Sequence, residues 1–113
     1  MAKNYTPSAS NKEAYDKVTE TAVVGTVPPQ AVELEQAVLG ALMLEKDSII
    51  SVQEYVSADA FYTEEHRTIY RAIESLSAEL KPIDLYTVTE RLKVRKELKK
   101  VGGAAYLANL TQK

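Results

Sequence analysis

The sequence has 113 residues, enough for one modest domain, with 45% hydrophobic and 27% charged residues in globular proportions. It contains no cysteine, which excludes disulfides, thiolate metal sites and cysteine nucleophiles and suits a reducing compartment. A net charge of −2 and a pI of about 5.5 argue against a dedicated nucleic-acid binder, which is usually basic as a whole.

With one Phe and no Trp, the core must be built from Leu, Ile, Val, Ala and some of the seven Tyr. No stretch approaches the roughly 20 apolar residues that span a bilayer. Met1-Ala2-Lys3-Asn4-Tyr5-Thr6-Pro7 lacks the apolar run of a secretion signal. A soluble, cytoplasmic protein is the expectation.

Residues 1–27 show no sustained period and are rich in Thr, Ser, Asn, Lys and Glu. Apolar groups such as Val23 and Val24 are too few to order the segment against its chain entropy. It is expected to be a flexible arm, with a helical domain over 28–113. Pro28-Pro29 ends the arm and supplies a rigid lead-in to the first helix.

That helix is predicted from about Gln30 to Glu45. Leu34, Ala37, Val38, Ala41 and Leu42 follow the spacing of a buried stripe. Val32, Leu39 and Met43 fall on the opposite side, so the helix is either central or shared with another chain. Gly40 costs roughly 1 kcal/mol of helix propensity, which points to a close helix crossing.

A short second helix follows an Asp47 cap and carries Ile49, Ile50, Val52 and Val56. Asp59-Ala60-Phe61-Tyr62 reads as an aromatic loop. Thr63 is the expected N-cap of a third helix over Glu64–Glu79, with Glu64 and Glu65 favoured by the helix dipole. Its stripe is His66, Ile69, Tyr70, Ile73, Leu76, Ser77 and Leu80, with Arg67, Arg71 and Glu74 outside it. Pro82 ends the segment. Asp84 caps a fourth helix whose Leu85, Val88 and Leu92 face inward. A short basic helix is predicted over Arg95–Lys100, stopped by Gly102-Gly103. A last turn or two over Ala104–Leu110 turns Tyr106, Leu107 and Leu110 inward. The fold class is all-α, an orthogonal bundle of five or six short helices after the flexible arm.

Charge is unevenly placed. Pro28 to Leu80 holds ten acidic and three basic residues, whereas Arg91 to Lys113 holds seven basic residues and one acid, Glu97. The basic run Arg91, Lys93, Arg95, Lys96, Lys99 and Lys100 is either a solvated face or a set of weak phosphate contacts.

Catalysis has little to work with. His66 is the only histidine, and a lone His cannot supply a base, an orienting group and a nucleophile together. A capping or core role fits it better. No second His or Cys stands at metal-ligand spacing. Gly102-Gly103 is followed by Ala104-Ala105 rather than Lys-Ser/Thr, so it is no phosphate loop. The pairs Glu64-Glu65 and Glu33/Glu35 are expected on exposed helical surface, with no acid/base partner. No catalytic, cofactor-binding or metal residues are assigned, and the chain itself is read as non-catalytic.

Five segments in order resemble the N-terminal domain of bacterial replicative DNA helicases, the DnaB family. They are Val27-Pro28-Pro29-Gln30 with Glu33-Leu34-Glu35-Gln36-Ala37-Val38-Leu39-Gly40; Asp59-Ala60-Phe61-Tyr62; His66-Arg67 with Ile69-Tyr70; Pro82-Ile83-Asp84-Leu85; and Val101-Gly102-Gly103-Ala104-Ala105-Tyr106-Leu107. The resemblance marks Gly40, Phe61, Tyr62, His66, Arg67, Tyr70, Asp84, Gly102 and Gly103 as structural signature positions. Two departures stand out: Leu80-Lys81 where the family often has a glycine, and a more basic stretch from Lys93 to Lys100.

The resemblance implies a ring-shaped hexamer that unwinds DNA with a separate motor using ATP and Mg. Its N-terminal domains pair into a collar that recruits primase, with the helicase loader as a further partner. This chain has no Walker A motif and is expected to be a fragment of such a nucleoid-associated bacterial protein. Two functions follow. One is a docking domain using leftover apolar surface at Val32, Leu39, Met43 and Tyr106, residues that core packing would equally explain. The other is a small helical DNA-binding module using the basic 91–100 segment, with weak or no DNA contact expected of the fragment.

Overall fold

The computed structural model describes residues 29–112. The arm expected over 1–27 lies outside the described residues. Among those described there is no strand; the elements are α1 (Pro29–Leu44), α2 (Ser48–Val52), a 3-10 turn (Ala58–Ala60), α3 (Glu64–Ala78), α4 (Leu85–Val94) and α5 (Gly103–Leu110). The all-α reading holds.

Local chemistry sets the helix starts. Thr63 is extended, and its hydroxyl oxygen accepts the His66 backbone N–H at 3.1 Å. Asp84 and Thr87 form a reciprocal capping box: the Asp84 carboxylate accepts the Thr87 N–H at 2.8 Å, and the Thr87 hydroxyl accepts the Asp84 N–H at 2.9 Å. Asp47 corrects one expectation. It takes a left-handed conformation, φ 62°, and its side chain makes no capping bond.

The same closure ends three segments, each through a residue in the left-handed region. After α3, Leu80 N–H bonds Ser77 O and Lys81 N–H bonds Leu76 O; after α4, Lys96 N–H bonds Lys93 O and Glu97 N–H bonds Leu92 O. The third pair is Gly102 N–H to Lys99 O and Gly103 N–H to Leu98 O. The closing residue of each pair at positive φ is Leu80 (59°), Lys96 (62°) and Gly102 (108°) respectively. This is the Schellman pattern, which satisfies the last helical carbonyls.

It also removes the basic helix expected over Arg95–Lys100. Lys96 breaks the α-helical run one residue after the Arg95 cap, and only a series of turns fits before Gly102. The glycine pair closes those turns and opens α5, with Gly102 at its N-cap.

α3 is the central element, lying against α1, α2, α4 and the 58–60 turn, while α5 packs on α1 and α4. The core gathers Leu39, Leu42 and Met43 of α1 with Ile69, Tyr70, Ile73 and Leu76 of α3, joined by Val88, Leu92, Val101 and Leu107. Burying each such aliphatic side chain contributes about 1.5–3 kcal/mol. At Gly40 an added Cβ would overlap the backbone carbonyl oxygen of Leu110, so α1 and α5 meet there backbone to backbone.

The buried face of α1 is rotated from the predicted one. Leu39 (0% exposed) and Met43 (4%) are interior, whereas Leu34 is 66% exposed and Ala37 is exposed as well. The true stripe is Glu35, Leu39, Leu42 and Met43, and it begins with a charged residue that a hydrophobic pattern discounts. Leu80, assigned to the α3 stripe, is 93% exposed because the left-handed turn swings it off the helix.

Candidate functional site

The buried carboxylate that displaces the stripe anchors a polar clamp. Glu35 is 8% exposed and His66 1%. Glu35 Oε1 lies 2.7 Å from His66 Nδ1, and Glu35 Oε2 accepts the Tyr62 backbone N–H at 2.6 Å. Beyond the ring, His66 Nε2 is 2.6 Å from the Tyr106 hydroxyl, which accepts Gln36 Nε2–H at 3.1 Å. With both Glu35 oxygens accepting, Nδ1 carries the ring proton and Nε2 accepts from Tyr106 O–H. Every polar atom in the chain from Glu35 through His66 to Tyr106 then has a partner.

A carboxylate, an imidazole and a hydroxyl in line share the order of a catalytic relay. Here, however, the terminal oxygen is a phenol already engaged on both sides by His66 and Gln36. The arrangement ties α1, α3 and α5 together and holds the 61–62 loop against α1. That loop is fixed from α3 as well: Arg67 Nη1 donates to the carbonyls of Phe61 (2.8 Å) and Tyr62 (3.0 Å). Tyr70 Oη donates to Val56 O at 2.7 Å, and Phe61 packs on the Tyr70 ring with centroids 5.0 Å apart. Burial pushes the Tyr70 phenol above its ordinary value.

Of the positions the resemblance marks, Gly40 lies in a helix crossing, Phe61 and Tyr62 in the aromatic loop, Arg67 and Tyr70 on α3 against that loop, and His66 in the clamp. Asp84 caps α4, and Gly102 with Gly103 forms the joint before α5. Of the apolar interface candidates, Leu39 and Met43 are core. Val32 and Tyr106 are half-buried and line one cavity of about 340 Å³ together with His66, Lys99 and Lys100.

The basic run divides. Arg91 is engaged within the domain: its guanidinium grips both Glu79 oxygens at 2.7 and 3.0 Å and donates to Ser75 Oγ at 2.7 Å. This pairing, reinforced by Lys81, holds the Glu79 carboxyl down at about 2. Lys93 stands 3.9 Å from Glu90 and Lys100 3.4 Å from Glu64. Arg95, Lys96 and Lys99 are exposed and have no ion pair among the described residues.

Glu35 and Gln36 are the functional side chains that sequence reasoning missed. The available signal was a glutamate in phase with Leu39, Leu42 and Met43, in a chain holding one histidine on another buried stripe. Among the described residues no three His, Asp or Glu side chains gather as a metal site. No described helix is long and apolar enough to cross a membrane.

This architecture defines a class, the small all-α domain whose polar residues lock helices and loops into one rigid surface. The chain belongs to the DnaB-like helicase N-terminal domain family, whose model matches residues 27–113. It is 48% identical over 87 residues to the replicative DNA helicase DnaB of Rhodothermus marinus, covering 77% of this chain and 9% of that protein. Against the replicative DNA helicase DnaB of Haemophilus influenzae it is 42% identical over 103 residues, covering 91% of this chain and 22% of that protein. The chain therefore spans less than a quarter of these relatives. The crystal structure of the N-terminal domain of DnaB helicase from Mycobacterium tuberculosis superposes with a TM-score of 0.66 at 40% identity, covering 68% of this chain and 56% of that one.

Proposed function

We propose that this chain is the non-catalytic interaction and ring-assembly domain of a bacterial replicative DNA helicase, contributing to an N-terminal collar and to primase recruitment. Family membership over residues 27–113 carries the reading. It is supported by a structure whose one histidine and buried carboxylate are engaged inside the fold. Unwinding, ATP and Mg belong to a motor elsewhere in the parent protein, for no Gly-Lys-Ser/Thr loop occurs in this sequence. The partners are neighbouring helicase subunits, primase and the helicase loader, and the setting is the cytoplasm at the nucleoid.

With Leu39 and Met43 in the core, Val32 and Tyr106 remain the apolar interface candidates. The rigid clamp beneath Tyr106 favours a preorganised contact, since fixing a surface before binding lowers the entropy lost on association. The experiment is competition. An excess of the isolated chain should suppress primer synthesis in a reconstituted helicase–primase reaction by occupying primase. Unchanged synthesis at saturating chain contradicts the reading.

A second reading, DNA contact, is favoured only by the exposed cations Arg95, Lys96 and Lys99. Three phosphate contacts give a log–log salt slope of only about −2 to −3. Such binding is weak at physiological salt, and tight binding there would favour this reading over the first.

A further inference from the structure

A groove of about 520 Å³ runs between α1 and the 56–62 segment, walled by Leu34, Val38, Val56, Ala60, Phe61 and Tyr62. Both walls are fixed in place. Tyr70 anchors Val56, Arg67 anchors the carbonyls of Phe61 and Tyr62, and Glu35 takes the Tyr62 N–H. An apolar groove with walls fixed in this way, and with Leu34 standing 66% exposed on one of them, has the form of a binding surface rather than of a packing fault.

Its surroundings are acidic. From Pro29 to Tyr62 the chain carries six acids and one base, Lys46. Of these, Glu33, Glu54 and Asp59 are exposed and stand one or two residues from a wall position; among the described residues only Asp59 has a basic partner, Arg71 at 3.8 Å.

We propose that this groove docks an amphipathic helix of a partner protein, apolar on one face and flanked by lysine or arginine. The proposal rests on the docking-domain reading and gives that domain a specific surface. A helix is the fitting shape because the described residues offer no strand edge for an added strand. The α1 wall from Gln30 to Val38 is about 12 Å long, some two turns of a bound helix. The basic flank answers the acidic rim. A second copy of this chain is a poorer match. Its α4 cations Arg91 and Lys93 have acidic neighbours in their own domain, and Arg95, Lys96 and Lys99 lie in turns.

The test uses the 113-residue chain and a fluorescent, designed Leu/Lys amphipathic peptide of about four turns, beside its Leu/Glu counterpart. The Lys peptide should bind and the Glu peptide should not. Leu34→Asp should weaken binding roughly tenfold or more, while Leu80→Asp, also exposed but outside the groove, should leave it unchanged. Circular dichroism confirms that both variants fold. Equal binding by the two variants would overturn the proposal, because attraction would then be to acidic surface in general. So would dimerisation of the chain that Leu34→Asp abolishes, or a tenfold gain in peptide affinity from Val24→Asp; these assign the groove to a second copy or to the chain's own 22–27 segment. Primase separates the two levels. Primase bound equally by the chain and by Leu34→Asp refutes this groove as the primase-docking surface and leaves the domain's docking role standing. Primase ignored by both removes that role, while the peptide result still decides the groove.

Discussion

The Nδ1 nitrogen of His66 and the Oε1 oxygen of Glu35 lie 2.7 Å apart inside the domain, joining α3 to α1. Two helices that share an otherwise apolar interface are thereby fixed in one rotation. The other Glu35 oxygen sets the loop bearing Phe61 and Tyr62, so one carboxylate determines both the helix register and the shape of the neighbouring groove.

Truncating that carboxylate leaves two buried donors, His66 Nδ1–H and Tyr62 N–H, without partners. Glu35→Ala is expected to destabilise the domain by about 2–5 kcal/mol, read by urea denaturation. Glu35→Gln should cost less, because its amide still offers one acceptor. A loss below about 0.5 kcal/mol for the alanine variant would mean the clamp does not hold the fold.

Leu80 sits at φ 59° and is 93% exposed. An L-residue is strained there and this side chain has no compensating burial. Leu80→Gly should raise stability by about 0.5–1 kcal/mol, partly offset by glycine's greater freedom in the unfolded chain. A thermal melt that falls instead would show that Leu80 makes a stabilising contact.

Gly40 predicts the opposite. A methyl group there meets the Leu110 carbonyl, and backbone cannot yield as a flexible side chain can. Despite alanine's better helix propensity, Gly40→Ala should lose about 1–3 kcal/mol and loosen α5. Hydrogen exchange of the α5 amides is the direct readout.

Acid sensitivity has a definite sign at Glu79. The Arg91 guanidinium, helped by Lys81, depresses its carboxyl from the ordinary 4.5 to about 2. A group depressed in the folded state contributes stability that is present above 4.5 and lost as pH falls through about 2. Glu79→Gln should therefore flatten the decline of stability between those pH values. Since the pair is at the surface, the effect is small and weakens further in salt. An unchanged acid limb would contradict the assignment.

How much of this was legible in the sequence depended on the range of the interaction. Thr63 and Asp84 cap helices through partners three residues away, and both starts could be read directly. The α3 stripe of His66, Ile69, Tyr70 and Ile73 was equally plain because one face is apolar and the other charged. On α1 both faces carry apolar residues, so periodicity alone does not choose between them, and Glu35 reads as exposed helical surface. Its partners lie 31 residues away at His66 and 27 away at Tyr62, a pairing no local pattern records. The basic stretch failed for another reason. Arg95–Lys100 has helix-forming composition, but closure of α4 through Lys96 in the left-handed region overrides propensity. Leu80 misled in the same way, as an apolar residue in phase with a helix that had already ended.

The most direct test of the docking function is a calorimetric titration of this chain with the C-terminal domain of primase from the same organism, beside single-stranded DNA at physiological salt. The account predicts saturable heat with primase and little or none with DNA. Tight DNA binding with no response to primase would contradict it and move the function to the exposed cations Arg95, Lys96 and Lys99.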